Sequence, residues 1–498
     1  MRFFWLCCGL AVTACAQMRT VQVDAANVIG TIRSLQGVGG APVSVRRTWD
    51  VTRQYKDLRI DLVRTHDFFG PTDIDAKWSH PDSISIAMKA DGRSSIFPNW
   101  DADPEKEASY NFGPSDFMIQ GIVNSGAEVY YRIGRSWSAD PDPPADFDKY
   151  ANIVKHVAMH YNAGWARGFH DKIRYWEFWN EPNLKARKAT GAGGYDAQPY
   201  WTGTPEQFYK LYETVARVLK SYDPSLLVGA PGLAFAGMAN PYREGLIQYC
   251  EAHQAPLDFY SWHHYTQSYA DPYDLVRIAR DIRGLLDAHG FVHAESCLSE
   301  WAMSLLFGPE HQQTMEHAAF CGAAQSYFQD APLDRSLYYR ADPGALGFFG
   351  PDGSYRKKAY VYKALGALLD TRRRLSATGA DTIGFAVLAG RSTDGNTVQV
   401  LIGNYEIPES DRQGPLPAFV QYRKGADRRH EIVYRDNAGY ALVVTHLPWG
   451  QGEFTVKRYR VTRTENWAES ESSGKGGALE MSNPLPPPGV ELIVIRRK

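Results

Sequence analysis

From residue 35 onward, short apolar runs of strand length alternate with stretches whose apolar residues recur at helical spacing. The strand-like runs fall at 35–43, 60–69, 128–134, 226–233, 257–265, 296–304 and 335–340, with a further run that opens at Ile173 and stops at Pro182. Helical patterns follow at 49–58, 147–161, 204–221, 242–253, 272–289, 310–329 and 356–370. The helix at 204 starts on Thr204-Pro205-Glu206-Gln207, a capping box with proline at the first helical position. Eight strands taking turns with helices over roughly 340 residues predict a closed (β/α)8 TIM barrel, spanning 35–372, and not an open sheet. Two segments break the rhythm. Residues 71–113 form a long polar insertion carrying Trp78, Trp100 and Tyr110, and 185–203 is a Gly-rich loop with Tyr195, Tyr200 and Trp201. Loops of that length are usually functional or disordered.

Past residue 373 the helical period disappears. Alternating runs at 383–387, 398–402, 440–444 and 490–494, separated by Gly, Asp, Asn and Pro turns, predict an all-β sandwich over 373–498. The strand-like segment 17–34 precedes the barrel and is suited to add a strand to that sandwich.

Composition narrows the class of partner. A formal net charge of −2 leaves no basic footprint for nucleic acid or an anionic membrane. The 13 Trp and 29 Tyr suit a carbohydrate binder. The N-terminus carries Arg2 and then an apolar run from Phe3 to Ala14, the length of a signal-peptide core and too short to span a bilayer. Ala14-Cys15-Ala16 reads as a cleavage site, giving a signal peptide over 1–16. Val12-Thr13-Ala14-Cys15 equally reads as a lipoprotein box with a lipid anchor at Cys15. Both routes imply export, to the periplasm, the extracellular space or an outer-membrane anchor. No later segment has eighteen uninterrupted apolar residues, so no membrane span is expected. Cys7 and Cys8 would leave with the signal. Cys250, Cys297 and Cys321 show neither a CxxC pattern nor metal-ligand spacing, so buried thiols are expected, with no metal and no cofactor.

The chemistry concentrates in Tyr175-Trp176-Glu177-Phe178-Trp179-Asn180-Glu181-Pro182-Asn183-Leu184. A carboxylic acid at the mouth of a strand can protonate a glycosidic oxygen, the adjacent amide can hydrogen-bond a ring hydroxyl, and indoles can pack on sugar faces. The run resembles the fourth-strand motif of glycoside hydrolase family 39, the β-xylosidase and α-L-iduronidase family, within a clan of retaining (β/α)8 glycosidases. Further likeness lies in Phe208-Tyr209-Lys210-Leu211-Tyr212-Glu213, in Tyr222-Asp223-Pro224 running into Val228-Gly229-Ala230-Pro231, and in Phe348-Phe349-Gly350-Pro351-Asp352-Gly353.

The resemblance implies a set of roles. Glu181 on the fourth strand would be the acid/base, and Glu300, in Cys297-Leu298-Ser299-Glu300-Trp301 on the seventh, the nucleophile. Asn180 would bind the sugar 2-hydroxyl. Arg64 would lie near the nucleophile and His66 against the sugar. The family's His-x-Tyr pattern falls on His263 and Tyr265, with His264 open as the alternative by one residue of register, and Asp342 takes the place of a substrate-binding aspartate. Glu177, deeper in the strand, reads as a buried hydrogen-bonded residue, and Glu295 belongs at the barrel's other end. The chain departs from family xylosidases at Ala302, where they tend to have Asn, and at Asp67, where they tend to have Gly. The expected function is an exported retaining O-glycosidase acting on an oligo- or polysaccharide, β-xylosidase-like. An endo-acting exopolysaccharide hydrolase, an α-L-iduronidase-like enzyme and a non-catalytic carbohydrate-binding envelope protein are the alternatives.

Overall fold

The computed structural model describes residues 17–76, 95–137, 139–184, 199–266, 271–303, 313–405 and 437–498. The signal segment with Cys15, and the aromatics Trp78 and Tyr195, lie outside the described residues.

The described chain begins with β1 (Gln17–Thr31) and then enters a closed parallel barrel. The barrel strands are β2 (Gly37–Gly39), β3 (Leu62–Arg64), β4 (Glu128–Ile133), β5 (Tyr175–Phe178), β6 (Leu227–Leu233), β7 (Phe259–Thr266), β8 (Glu295–Met303) and β9 (Arg335–Tyr338), in sequence order around the ring. Outside them pack α1 (Thr52–Asp57), α2 (Gly113–Asn124), α3 (Phe147–Ala163), α4 (Pro205–Tyr222), α5 (Leu246–His253), α6 (Asp274–Ala288), α7 (Met315–Tyr327) and α8 (Lys357–Ala367). The capping box of α4 is present in full: Thr204 accepts from the Gln207 amide while Gln207 reaches back to the Thr204 amide.

The sequence pattern missed α2. Its buried positions, Ser115, Met118, Ile119, Gly121 and Ile122, do keep helical spacing, but serine and glycine among them erase the apolar contrast. Gly121 is small because Val43 packs there, 2.4 Å from where a Cβ would stand. The rest of the long insertion is partly structural, since Tyr110 stacks on Phe112 at 5.4 Å and meets Trp165 edge-on.

Inside the barrel the floor is apolar: Leu62, Tyr130, Tyr175, Phe259, Cys297 and Leu337 form one cluster. Two residues further along β3 and β5, on the same inward face, come Arg64 and Glu177. On β8 that alternation is broken. Opposite β7, Trp262 pairs with Leu298 but His263 pairs with Glu300, so Ser299 is an extra residue. The same slip occurs against β9. This bulge lets Cys297 and Glu300 both face inward although they are three positions apart. Trp301 is thereby turned outward, onto Phe328 and Tyr338.

Among the described residues, the C-terminal region from Arg373 forms a nine-stranded, largely antiparallel sheet rolled over its own core, and β1 belongs to it. β1 pairs antiparallel with β10 (Arg373–Thr378) and parallel with β13 (Asn437–Thr445). Along β12 (Thr397–Asn404), Val398, Val400 and Ile402 enter this core while Leu401 joins the core of the barrel. Both faces of the strand are therefore buried, which is why 398–402 reads as a nearly continuous apolar run.

Candidate active site

At the end of β5 the backbone turns sharply. Trp179 and Glu181 hold φ values of +70° and +44°, a left-handed region that non-glycine residues enter at a cost of roughly 1–2 kcal/mol. Neighbours hold the turn in place. The Glu181 amide donates to Gly232 O at 2.8 Å, and the Asn183 side chain exchanges two hydrogen bonds with the Ala234 backbone, at 2.8 and 3.1 Å.

Glu181 and Glu300 face each other across the mouth. One carboxylate oxygen from each, with a ring nitrogen of His263, lies within 4.8 Å of the others. Their surroundings differ. Glu300 accepts from Arg64 Nη1 at 2.8 Å and from the Tyr265 hydroxyl, two groups that favour a charged carboxylate. Burial nevertheless pushes its carboxyl up, to about 7, with Arg64 and Tyr265 pulling against it and the charges of Asp67 and Glu177 adding to it. Glu181 lies 2.8 Å from His263 Nδ1, which is 3.8 Å from Glu300. Burial, and then the Arg64 charge, hold that imidazole well below its usual pKa, so it is neutral at working pH.

Arg64 organises the site from beneath. Its Nε donates to Glu177 at 2.5 Å, its Nη1 to Glu300 and its Nη2 to Asn180 Oδ1 at 2.7 Å. Because the Asn180 oxygen faces Arg64, its Nδ2 is left as a buried donor with no partner among the described residues. His66 is buried and held neutral, mainly by desolvation. Its Nε2 stands 3.3 Å from Asp67 Oδ1, and its ring is 6.0 Å from that of Tyr200. On β7, Phe259, Ser261, His263 and Tyr265 share the inward face, so the strand's period places His263 inside and His264 on the other side.

Asp342 sits on the same rim, but both its oxygens are engaged by Arg340, one of them from Nη2 at 2.7 Å. The indoles are not the sugar platforms that the sequence predicts. Trp179 is 2% exposed with its Nε1 donating to Tyr200 O, and Trp301 is fully buried with its Nε1 on Ser336. Three tyrosines, Tyr200, Tyr265 and Tyr339, stand at the mouth. Tyr265 packs edge-on against Tyr339 at 6.3 Å. Burial holds the Tyr200 phenol un-ionised, and the charges of Asp67, Glu181 and Glu300 all bear on it. Sequence reasoning assigned no role to Asp67, Tyr200 or Tyr339. Their signal was position: Tyr339 directly follows β9 and Asp67 comes three residues after β3, at the strand ends where barrel enzymes carry their chemistry. Glu295 lies at the opposite end, hydrogen-bonded by Tyr175 and beside Arg335.

Glu181, His263 and Glu300 are also close enough to hold a cation. The Arg64 guanidinium already on Glu300 opposes a second positive charge there, so an acid–nucleophile pair suits the donor set better than a metal.

A family model described as glycosyl hydrolases family 39 matches residues 115–278, which include Glu181 and end before Glu300. A solved glucosidase from Croceicoccus marinus is 32% identical and aligns over 97% of this chain and 100% of its own, with a TM-score of 0.79. A monomeric β-xylosidase from Caulobacter crescentus CB15, 18% identical, aligns over 96% and 99% with a TM-score of 0.67, and so has the fold in common. A curated β-xylosidase from Geobacillus stearothermophilus is 26% identical over 221 residues, 41% of this chain, and the match spans only 39% of that relative's length.

Proposed function

The chain belongs to glycosyl hydrolases family 39, and from that premise we propose that it is an exported glycosidase that works by double displacement. The observation that carries this reading is the gap between Glu181 and Glu300. Carboxylates about 5–5.5 Å apart serve a retaining mechanism, whereas an inverting one needs about 6.5–9.5 Å to admit water between sugar and base. One oxygen of each carboxylate lying within 4.8 Å of the other supports the first class.

The surroundings divide the roles. Glu300, charged against Arg64 and Tyr265, attacks the anomeric carbon, and the glycosidic C–O bond breaks as Glu181 gives its proton to the leaving oxygen. Glu181, now a carboxylate beside neutral His263, takes a proton from water. That water's oxygen bonds to the anomeric carbon and releases Glu300. The unpartnered Nδ2 of Asn180 supplies a donor for the 2-hydroxyl, a bond that strengthens in the transition state.

For the substrate, a β-xyloside is supported by the curated β-xylosidase relative. A glucoside is the second reading, supported by the glucosidase that aligns end to end. Export rests on the apolar run from Phe3 to Ala14.

The deciding experiment is hydrolysis of aryl glycosides by wild type, Glu300→Ala and Glu181→Ala, with and without azide. The expected result is a dead Glu300→Ala enzyme that azide rescues to a glycosyl azide of inverted configuration. For Glu181→Ala, azide rescue should give the retained configuration. Activity that survives Glu300→Ala would overturn the assignment.

A further inference from the structure

Resting on the glycosidase reading above, we propose that Asp67 sets glycone specificity: its carboxylate accepts a hydroxyl of the bound sugar remote from the anomeric carbon, and its charge turns away uronic acids. Asp67 follows β3 directly after His66, with φ at +55°, a conformation in which glycine sits without strain.

That acid is aimed into the site. Its Oδ1 accepts from the Trp137 backbone amide at 3.0 Å and faces His66 Nε2, while its Oδ2 accepts from the Tyr339 hydroxyl at 3.1 Å. A carboxylate oxygen has room for two donors, so Oδ2 has capacity for one more. The Asp67 side chain is 10% exposed, close to the 11% of Glu181 and the 8% of Glu300. Tyr339, which donates to Asp67, packs edge-on against Tyr265, which donates to Glu300, so two tyrosines link the Asp67 carboxylate to the nucleophile.

The position on the sugar follows from the ring of strands. The anomeric carbon lies between Glu181, after β5, and Glu300, on β8, with Asn180 beside them. Asp67 and Tyr339 follow β3 and β9, the two strands that flank β2, and close another side of the mouth. The sugar's remaining hydroxyls reach that side.

The charge argument excludes uronic acids. The groups facing Asp67 are a backbone amide, a phenol and a neutral imidazole. Arg64 is committed to Glu177, Glu300 and Asn180, and Arg340 to Asp342. A sugar carboxylate would meet the Asp67 charge and no free guanidinium from Arg64 or Arg340, whereas a sugar hydroxyl would find an acceptor.

The test uses the full-length enzyme and 4-nitrophenyl glycosides: β-D-glucoside, its 3-, 4- and 6-deoxy forms, β-D-xyloside and β-D-glucuronide. Wild type is compared with Asp67→Asn and with Asp67→Gly, which the backbone accepts. The expected result is that removing one hydroxyl lowers wild-type kcat/KM about 100-fold or more, that Asp67→Asn costs a similar factor on the parent sugar, and that the two losses do not add. The ratio of glucuronide to neutral-glycoside turnover should rise about tenfold in both variants. Equal losses on every substrate, or additive ones, overturn the proposal and leave Asp67 a purely structural residue. Should neither variant fold, a wild-type deoxy series with no large drop still overturns it, and one large drop at a remote hydroxyl sustains it. Failure of wild type to cleave any of these glycosides defeats the glycosidase reading itself and the Asp67 proposal with it. That outcome appears before any variant is made.

Discussion

Glu177 holds Arg64 by a 2.5 Å hydrogen bond from Nε, with the two side chains 0% and 1% exposed. The pair sits just beneath the mouth, and the remaining nitrogens of Arg64 reach Glu300 and Asn180, so a buried residue that never meets substrate sets the site's geometry. Removing one member of a buried pair strands the other's charge. Glu177→Ala is therefore expected to lose about 3–5 kcal/mol of stability in denaturant unfolding. Glu177→Gln keeps a hydrogen-bond acceptor and should lose less. Because the Glu177 charge helps raise the Glu300 carboxyl, the Glu177→Gln enzyme should also move the acid limb of kcat/KM to lower pH. An unmoved limb would mean that Glu177 does not act on Glu300 electrostatically.

Tyr265 gives the opposite sign. A nucleophile must be ionised, and burial holds the Glu300 carboxyl above the usual glutamate range, so activity is lost as pH falls through that raised value. The Tyr265 hydroxyl favours the charged form by donating to it. Tyr265→Phe should shift the acid limb to higher pH and lower kcat by about 10–100-fold, the worth of a hydrogen bond to a charged group. A kcat loss with no movement of the limb would contradict the charge-stabilising role.

These signs turn on side-chain direction, which the sequence conveys only where period and chemistry agree. The barrel was legible because eight apolar runs kept time with helical spacing, and the Asn180-Glu181 pair because its flanking residues are so specific. On β7 a strict period of two runs from Phe259 to Tyr265 and puts His263 and Tyr265 inward. On β8 the same rule fails, because Cys297 and Glu300 are three apart and only the bulge at Ser299 reconciles them. A strict alternation would therefore put Glu300 and Cys297 on opposite faces, whereas both point inward and Trp301 packs outward. Asp67 and Tyr339 are hydrogen-bonded across 272 residues, a pairing that no local pattern reports.

Gly40 tests how tightly the rim is built. It follows β2 with φ at +88°, and a Cβ there would lie 2.4 Å from Asp342 Oδ1. Gly40→Ala should cost about 1–3 kcal/mol, from the left-handed backbone and from displacing a carboxylate already bound by Arg340. Gly39→Ala is the control, since its nearest contact is the Tyr339 ring at 3.3 Å and its φ is ordinary. Thermal unfolding of the two variants side by side checks this. Equal losses would show that the approach of Asp342 is not what demands glycine.

Lys358 offers a prediction outside the site. It lies on α8 fully buried, with Nζ donating to Leu346 O at 2.8 Å and standing over the rings of Tyr338 and Phe348 at 5.1 and 5.9 Å. Burial pushes its ammonium down to about 7. In the unfolded chain the same group titrates near 10.4. Above that value both states are neutral and folding is not penalised. As pH falls, the unfolded chain binds the proton first, so stability declines from about pH 10 until the folded protein also protonates near 7. The whole effect is bounded at about 5 kcal/mol, since each tenfold loss of proton affinity on folding is worth roughly 1.4 kcal/mol. Lys358→Met fills similar space without a charge and should be the more stable protein at pH 7, with the difference from wild type shrinking toward pH 10. Urea unfolding of both proteins at pH 7, 8.5 and 10 measures that difference directly, and other titrating groups cancel in the subtraction. A difference that does not change with pH would mean Lys358 stays charged in the folded protein, held by the Leu346 carbonyl and the two aromatic faces.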